Sequence, residues 1–207
     1  MSYDKLKSLV ANVEAIETAM KIKVQGRTAT QEEKAVLSRY SGFGGIKEVL
    51  NIGTDRPIGG NMDEPVRWLQ ELIDAYPYFT EPMRQAVTES IKASVLTAFY
   101  TPKIIVDAVA RQIHATFRQN GLQMRSFLEP SAGIGGFLPV AMPDTYDYAI
   151  EKDHISGLIL SLLQDDTVTS TGGFETIGEM SFEHTKFDVI ASNIPFGNFR
   201  VFDAELW

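Results

Sequence analysis

The chain has 207 residues, of which 44% are hydrophobic, and this is enough for one well-buried core with further helices beside it. It contains 0 Cys, which excludes disulfides and Cys-based zinc sites, and no apolar run long enough to cross a bilayer. Its formal net charge of -8 argues against a module that binds nucleic acid mainly through a basic surface. We expect a cytoplasmic protein with no membrane or metal partner, because the polar start lacks the pattern of a secretory signal.

Residues 1–94 are predicted to be an all-helical N-terminal region. Apolar residues recur at three- and four-residue steps from Leu6 to Met20, and Gly26 ends that helix. Thr30 and Glu33 have the spacing of a capping box for a second helix. The other elements predicted here are a tight turn over residues 40–45, a helix over 65–75 that buries Trp68, Leu69, Leu72 and Ile73, and a helix capped by Thr80.

Residues 95–207 have a different pattern, in which short apolar runs alternate with helical segments. Thr101 is predicted as the N-cap and Pro102 as the first residue of a helix. The predicted strands cover residues 126–128, 146–150, 167–170 and 187–191, with a short helix after the first strand and a helix over 154–163 after the second. This alternation predicts an α/β domain with four parallel strands.

A glycine-rich segment follows the first predicted strand directly. Its glycines allow a sharp turn and let a ligand approach the main chain, and the N-terminus of a following helix would offer N–H groups to negative charge. A glycine-rich turn without any ligand explains the pattern about as well. The candidate cofactor-binding residues of this segment are Glu129, Pro130, Ala132, Gly133 and Gly135.

Glu151 ends the second predicted strand, roughly twenty residues beyond the glycines. Acidic residues at this position in α/β cofactor sites accept hydrogen bonds from both ribose hydroxyls. The alternative is a solvated glutamate beside Lys152. The position after a strand and behind a glycine loop favours the binding role.

The fourth predicted strand delivers Asn193, Ile194, Pro195 and Phe196 to its C-terminal end, which is the edge where open α/β sheets bind ligands. The side-chain oxygen of Asn193 and the carbonyl of Ile194 are two acceptors that could converge on one amine, and Phe196 could stack on a planar base. The alternative is an ordinary strand end with a proline turn and a core phenylalanine.

Together, and in this order, these segments resemble the gamma-type N6-adenine-specific DNA methyltransferases. The resemblance implies that Tyr100, Thr101 and Pro102 contact the methionine end of S-adenosylmethionine and that residues 129–137 form the glycine motif. It further implies that Glu151 binds the ribose and that residues 193–196 form the target-amine motif. The fold it implies is a partial Rossmann-like class I S-adenosylmethionine-dependent methyltransferase sheet.

The segment Tyr40-Ser41-Gly42-Phe43-Gly44-Gly45, the segment Gly173-Phe174-Glu175 and the Asn-Ile-Pro-Phe-Gly form of the target motif are similar to one branch. That branch is the N-terminal methylase part of large methylase-helicase proteins of phages and conjugative elements, some of them linked to antirestriction. Two positions depart from the family. Gly173 stands where the family has an Asp that binds the cofactor adenine, so this contact is either missing or moved to Glu175, and Ile194 replaces a Pro. Phe174 and Glu175 are the candidate cofactor-binding residues of this segment.

Such a sheet has about seven strands by the resemblance, whereas four are visible here, so we expect a domain truncated at its C-terminal end. Its fourth strand would then be an exposed edge, which favours self-association between copies. DNA would be held mainly by parts absent from this chain. The expected reaction transfers a methyl group from S-adenosylmethionine to the N6 amine of a flipped adenine. The alternatives are a non-catalytic cofactor- or DNA-binding module and a protein-glutamine N5 methyltransferase.

Overall fold

A computed structural model of the chain describes residues 4–179 and 186–194. The contacts between Cα atoms divide the chain into two compact units, Met1–Phe99 and Tyr100–Trp207. Within the described residues, no helix is both long enough and apolar enough to span a bilayer.

The described part of the first unit is helical. Its four α-helices are α1 (Lys5–Gln25), α2 (Gln31–Leu37), α3 (Asp63–Ala75) and α4 (Glu81–Thr97), with 3-10 turns at Lys47–Asn51 and Gly60–Met62. Gly26 ends α1 in the left-handed conformation, and Thr30 and Glu33 form the predicted capping box of α2. Thr80 occupies the N-cap position of α4, but its side chain makes no capping hydrogen bond.

The prediction for the buried face of α3 is partly wrong. Leu69 and Ile73 are fully buried as expected, whereas Trp68 and Leu72 are only half-buried. Val66 takes the inward position one turn before Leu69 and Ile73, so the buried face is centred on these three residues. The buried face of α3 is therefore rotated about the helix axis from the predicted one, away from Trp68 and Leu72.

The glycine-rich segment 40–45 forms a turn, as predicted, and the buried side chain of Asn12 on α1 holds it. Asn12 Nδ2 donates to the carbonyl of Gly42 over 2.6 Å, and its Oδ1 accepts from the N–H of Ser41 over 2.8 Å. Gly45 N–H donates to the carbonyl of Val95 in α4 over 2.9 Å. A side chain on Gly44 would collide with the carbonyl of Ala98. The turn therefore joins α1 to the end of α4.

The second unit contains α5 (Lys103–Gln119), β1 (Ser126–Glu129), β2 (Tyr146–Glu151), α6 (His154–Leu163), β3 (Val168–Thr171) and β4 (Val189–Ile190), with 3-10 turns at Leu138–Val140 and Phe174–Glu179. All four strands are parallel, in the order β3-β2-β1-β4. The prediction of an α/β unit with four parallel strands is confirmed. The fourth strand is shorter than predicted, since only Val189 and Ile190 pair with β1.

Alternate residues of the strands face two apolar clusters. Phe127 and Ala149 pack with Val106 of α5 and Leu160 of α6, so both helices contribute to the same cluster. On the other face, Leu128, Tyr148 and Ile150 are buried with Phe187 and Ile177 packed against them. These clusters fix the sheet, so its C-terminal edge presents the residues that follow each strand.

Two local predictions in this unit are wrong. The segment after the glycine turn forms a 3-10 turn at Leu138–Val140 instead of a helix, because few residues separate Gly136 from β2 and Pro139 lacks an N–H. No helix N-terminus is therefore formed there. Thr101 is not the N-cap of α5. The carbonyl of Pro102 accepts the first helical bonds, from Ile105 and Val106, and the helix begins at Lys103.

The carboxylate of Asp188 fixes the pairing of β4 with β1 at the N-terminal ends of these strands. Its Oδ2 accepts hydrogen bonds from the N–H groups of Arg125 and Ser126, at 2.7 and 3.1 Å. In return, the N–H of Asp188 donates to the carbonyl of Ser126 over 3.1 Å. The short strand β4 is thus held in one register by its preceding residue.

Candidate functional site

Glu151 at the end of β2 is tied to the glycine turn that follows β1. Its Oε2 accepts a hydrogen bond of 2.6 Å from the N–H of Gly133, and its Oε1 accepts one of 2.7 Å from the N–H of Asp153. Burial raises the pKa of Glu151 to about 7, although the backbone hydrogen bonds oppose the shift. A carboxylate has about four lone-pair positions, so acceptor capacity remains for ligand hydroxyls.

Glu129 at the end of β1 is 1% exposed. Its Oε1 accepts from the N–H of Phe137 over 2.9 Å, whereas Oε2 is buried and has no hydrogen-bond partner among the described residues. Burial raises the pKa of Glu129 to about 8, and the nearby Glu151 adds to this shift. The buried Glu129 and the half-buried Glu151 therefore end neighbouring strands, and one oxygen of the pair still lacks a donor among the described residues.

Tyr100 lies over the glycine turn. A Cβ atom on Gly133 would lie 2.6 Å from Tyr100 Cε1, and Gly133 has a φ of +57°. The hydroxyl of Tyr100 hydrogen-bonds with Ser156, and burial raises its pKa above the ordinary range, with smaller contributions from the carboxyl groups of Glu151, Asp153 and Glu129. The ring of Tyr100 and the carboxylate of Glu151 thus both contact Gly133.

The remaining residues of the predicted glycine motif shape the turn. Ala132 N–H donates to the carbonyl of Ile150 over 2.9 Å, which joins the turn to β2. Gly135 has a φ of +89°, and a Cβ atom there would lie 2.7 Å from Leu138 Cδ1. Pro130 opens the turn directly after β1. The turn therefore requires glycine at two positions, and this holds whether or not a ligand binds.

The segment after β3 contains an ion pair that the sequence did not predict. Lys152 Nζ lies 2.7 Å from Glu175 Oε1, and this contact lowers the pKa of Glu175. A side chain on Gly173 would collide with the carboxylate of Glu175, so Glu175 occupies the space that a residue at position 173 would use. Phe174 is 51% exposed beside it. Both candidate residues thus lie at the C-terminal edge of the sheet.

The candidate target motif follows β4 at the same edge. Ser192 Oγ donates to the carbonyl of Ser131 over 3.2 Å, which brings this segment against the glycine turn. Asn193 is half-buried, and Ile194 is 64% exposed. The predicted residues Pro195 and Phe196 lie outside the described residues.

The structure brings together Tyr100, Glu129, Gly133 and Glu151, and it places Thr101 and Pro102 in the segment that leads from Tyr100 into α5. Sequence reasoning missed two polar residues of the site. Asp153 caps α6, where its Oδ1 accepts from the N–H of Ser156 over 2.7 Å and from its hydroxyl over 2.8 Å. The Asp-x-x-Ser spacing signals this cap, but it does not signal that Ser156 would meet Tyr100. Among the described residues, no three His, Cys, Asp or Glu side chains are grouped to hold a metal ion.

Comparisons with known proteins give one relative. No protein-family model matches the chain, and no solved structure matches it. The chain is 28% identical over 196 residues to "Defense against restriction protein B" of Escherichia phage P1. The alignment covers 95% of this chain and 6% of the phage protein. The chain is therefore similar, over nearly all of its length, to a small segment of a phage protein that is named for defence against restriction.

Proposed function

We propose that this chain forms the S-adenosylmethionine-binding part of an N6-adenine-specific DNA methyltransferase of the gamma type, within a larger protein that acts against restriction. The observation that carries the proposal is the hydrogen bond from Gly133 N–H to the carboxylate of Glu151, which joins a glycine turn to an acidic residue across two neighbouring strand ends. The similarity to the phage protein supports the antirestriction setting.

The geometry of the sheet supports a nucleoside-containing ligand. Parallel α/β sheets bind ligands at the C-terminal ends of their strands, near the point where the strand order reverses. Here the order reverses between β1 and β4, and the residues after β1, β2 and β3 all lie at that edge. The carboxylate of Glu151 is suited to accept two ribose hydroxyls, and the glycine turn allows the ligand to approach the main chain. This is the arrangement expected of a Rossmann-like class I methyltransferase.

The role proposed for the segment after β4 is to hold the target amine. When S-adenosylmethionine is bound, it supplies an electrophilic methyl group. The oxygen of Asn193 and the carbonyl of Ile194 would accept the two amine hydrogens, which favours a pyramidal and more nucleophilic nitrogen. Held in this way, the amine would need no covalent bond to the chain, so the contribution of Asn193 and Ile194 to catalysis would be position and electrostatics. Phe196 would stack on the flipped base.

Calorimetry with S-adenosylmethionine on the 207-residue chain tests the cofactor site. We expect binding, and we expect Glu151→Gln to weaken it about tenfold or more, because hydrogen bonds to a charged group contribute about 1.5–3 kcal/mol. Asp166→Asn makes the same chemical change at an exposed position of the same unit and serves as the matched control. Equal affinities for the wild-type chain and Glu151→Gln, with circular dichroism unchanged, would reject this site.

Methyl transfer to DNA tests the reaction. With radiolabelled cofactor and duplex DNA, the complete natural gene product should label adenine, and its Asn193→Ala variant should lose most of this activity. Equal rates for the two proteins would rule out the role of Asn193. Labelling of a glutamine-containing release-factor peptide without labelling of DNA would favour a protein-glutamine N5 methyltransferase instead.

A second candidate function is a module that binds without catalysis. The ion pair between Lys152 and Glu175 favours it, because Glu175 is the residue that would replace the missing Asp at position 173 in holding the adenine of the cofactor. The net charge of -8 also favours a partner other than bare DNA. A chain that binds S-adenosylmethionine while the complete gene product labels neither DNA nor peptide would support this second candidate.

A further inference from the structure

The carboxyl groups of Glu129 and Glu151, at the ends of β1 and β2, are not equivalent in their hydrogen bonds. Both oxygens of Glu151 accept backbone N–H groups, from Gly133 and Asp153. One oxygen of Glu129 accepts from Phe137. The fourth carboxyl oxygen, Glu129 Oε2, is buried and accepts no hydrogen bond from the described residues. A buried acceptor without a donor destabilises the fold, and more so if it carries charge.

The charged groups around this oxygen are all acidic. The carboxyl group of Glu151 on β2 raises the pKa of Glu129, and both glutamates raise the pKa of Tyr100, which precedes α5. Asp153, before α6, raises the pKa of Glu151 and of Tyr100. The N–H of Leu138 interacts with the Glu129 carboxyl group and lowers its pKa, but the hydrogen bond that it forms, over 3.3 Å, is to the carbonyl of Gly135. Among the described residues, no Lys, Arg or His side chain contributes to the pKa of either glutamate. A proton is therefore the simplest group that can satisfy Glu129 Oε2.

We propose that Glu129 carries a proton on Oε2 when the site holds no ligand, and that a ligand with a hydrogen-bond donor or a positive charge displaces this proton. The O–H bond of the carboxyl group breaks, the proton passes to solvent, and Oε2 then accepts a hydrogen bond from the ligand. The inference rests on the proposed function for the identity of the ligand. Cofactor binding would thus be coupled to the release of a proton, and affinity would rise with pH until Glu129 is ionised.

The raised pKa of Glu129, about 8, agrees with this geometry, because burial away from cations disfavours the carboxylate. The glutamate with both oxygens hydrogen-bonded has the lower pKa, about 7. At pH 7 Glu129 is then expected to hold its proton most of the time, and Glu151 about half of the time. The proton on Glu129 keeps the carboxyl groups of Glu129 and Glu151 from both being charged until a ligand brings a hydrogen-bond donor.

The first test needs no ligand. Carbon-13 NMR of glutamate carboxyl groups, recorded on the 207-residue chain from pH 4 to 9.5, should show one group that titrates near pH 8. This signal should be absent from Glu129→Gln and present in Asp166→Asn. A Glu129 carboxyl that titrates near the ordinary value of ~4.3 would overturn the proposal.

The second test measures the proton itself. Calorimetry with S-adenosylmethionine at pH 7, in buffers of different ionisation enthalpy, counts the protons released on binding. We expect the wild-type chain to release close to one proton more than Glu129→Gln. Equal release by the two proteins would overturn the coupling. A Glu129 that titrates near pH 8 in a chain that binds no S-adenosylmethionine would instead contradict the proposed function, while it supports the proton on Glu129.

Discussion

A Cβ atom on Gly133 would lie 2.6 Å from Cε1 of Tyr100, so the tyrosine ring covers this glycine directly. The close approach has two causes. Gly133 adopts a φ of +57°, and the Tyr100 hydroxyl is held by Ser156 on the other side of the site. The glycine turn and the tyrosine thus form one structural unit.

We expect Gly133→Ala to destabilise the chain by roughly 1–3 kcal/mol, because alanine at a positive φ is strained and its methyl group would displace Tyr100. Gly136→Ala is the matched control, since its Cβ would have no atom within 4 Å. Urea unfolding of the two variants measures the difference. Similar free energies of unfolding for both variants would contradict the close contact.

The hydrogen bond between Tyr100 and Ser156 should appear as an energetic coupling between these two residues. We expect a double-mutant cycle with Tyr100→Phe and Ser156→Ala to give a coupling of about 0.5–1.5 kcal/mol in the free energy of unfolding. Ser161→Ala, on the same helix and bonded only within it at 2.8 Å, should show no coupling with Tyr100→Phe. If the losses in the free energy of unfolding were additive for Tyr100→Phe with Ser156→Ala, as for Tyr100→Phe with Ser161→Ala, the hydrogen bond between Tyr100 and Ser156 would be contradicted.

Asn12 should be the most sensitive polar residue of the first unit. Asn12→Ala leaves the Ser41 N–H and the Gly42 carbonyl without their partner in a buried turn, and each such group costs about 1–3 kcal/mol. Thr18→Ala, which removes a single hydrogen bond within α1, is the control and should cost far less. Trp68 fluorescence in a Trp207→Phe background reports the unfolding of this unit in urea. A loss for Asn12→Ala no larger than that for Thr18→Ala would show that the turn does not depend on Asn12.

The stability of the unliganded chain should fall as pH rises from about 5 to about 8. The pKa values of Glu129 and Glu151 are raised by burial to about 8 and about 7, whereas an unfolded glutamate titrates near ~4.3. In this window the folded chain holds protons that the unfolded chain has released, so each increase in pH favours unfolding. Glu129→Gln should flatten the dependence, and the urea midpoint at each pH measures it. A urea midpoint that rises with pH in the wild-type chain would show that ionisation of Glu129 and Glu151 does not destabilise the folded chain.

Much of the secondary structure could be predicted from local signals. The capping box of Thr30 and Glu33, the glycine stop at Gly26 and the alternation of strands and helices in the second unit are all confirmed. These features depend on neighbouring residues, which the sequence displays directly. The helix expected after the glycine turn does not form, because Pro139 lacks an N–H and few residues separate the turn from β2.

The site was only partly predictable for a different reason. Glu151 and Gly133 were chosen by their positions after strands, and the structure does bring them into contact. The contact of Tyr100 with Ser156 and that of Lys152 with Glu175 join residues far apart in the chain, and they depend on how the strands are ordered. No spacing rule in the sequence reports such pairs. The cofactor, the reaction and the target base remain predictions.

The hydrogen bonds of Asp188 at the N-terminal ends of β1 and β4 also influence the residues at the opposite, C-terminal edge of the sheet. Strand β4 pairs through only two residues, and a slip of one residue would turn every side chain to the other face. Five residues of extended chain span ~16 Å, so the carboxylate that sets the register lies about that far from Asn193. Asp188 therefore helps to set the register with which β4 delivers the following residues to the C-terminal edge of the sheet, where Ser192 contacts the glycine turn. A substitution of Asp188 is therefore expected to act at a distance, through the register of β4, on the segment that contains Asn193.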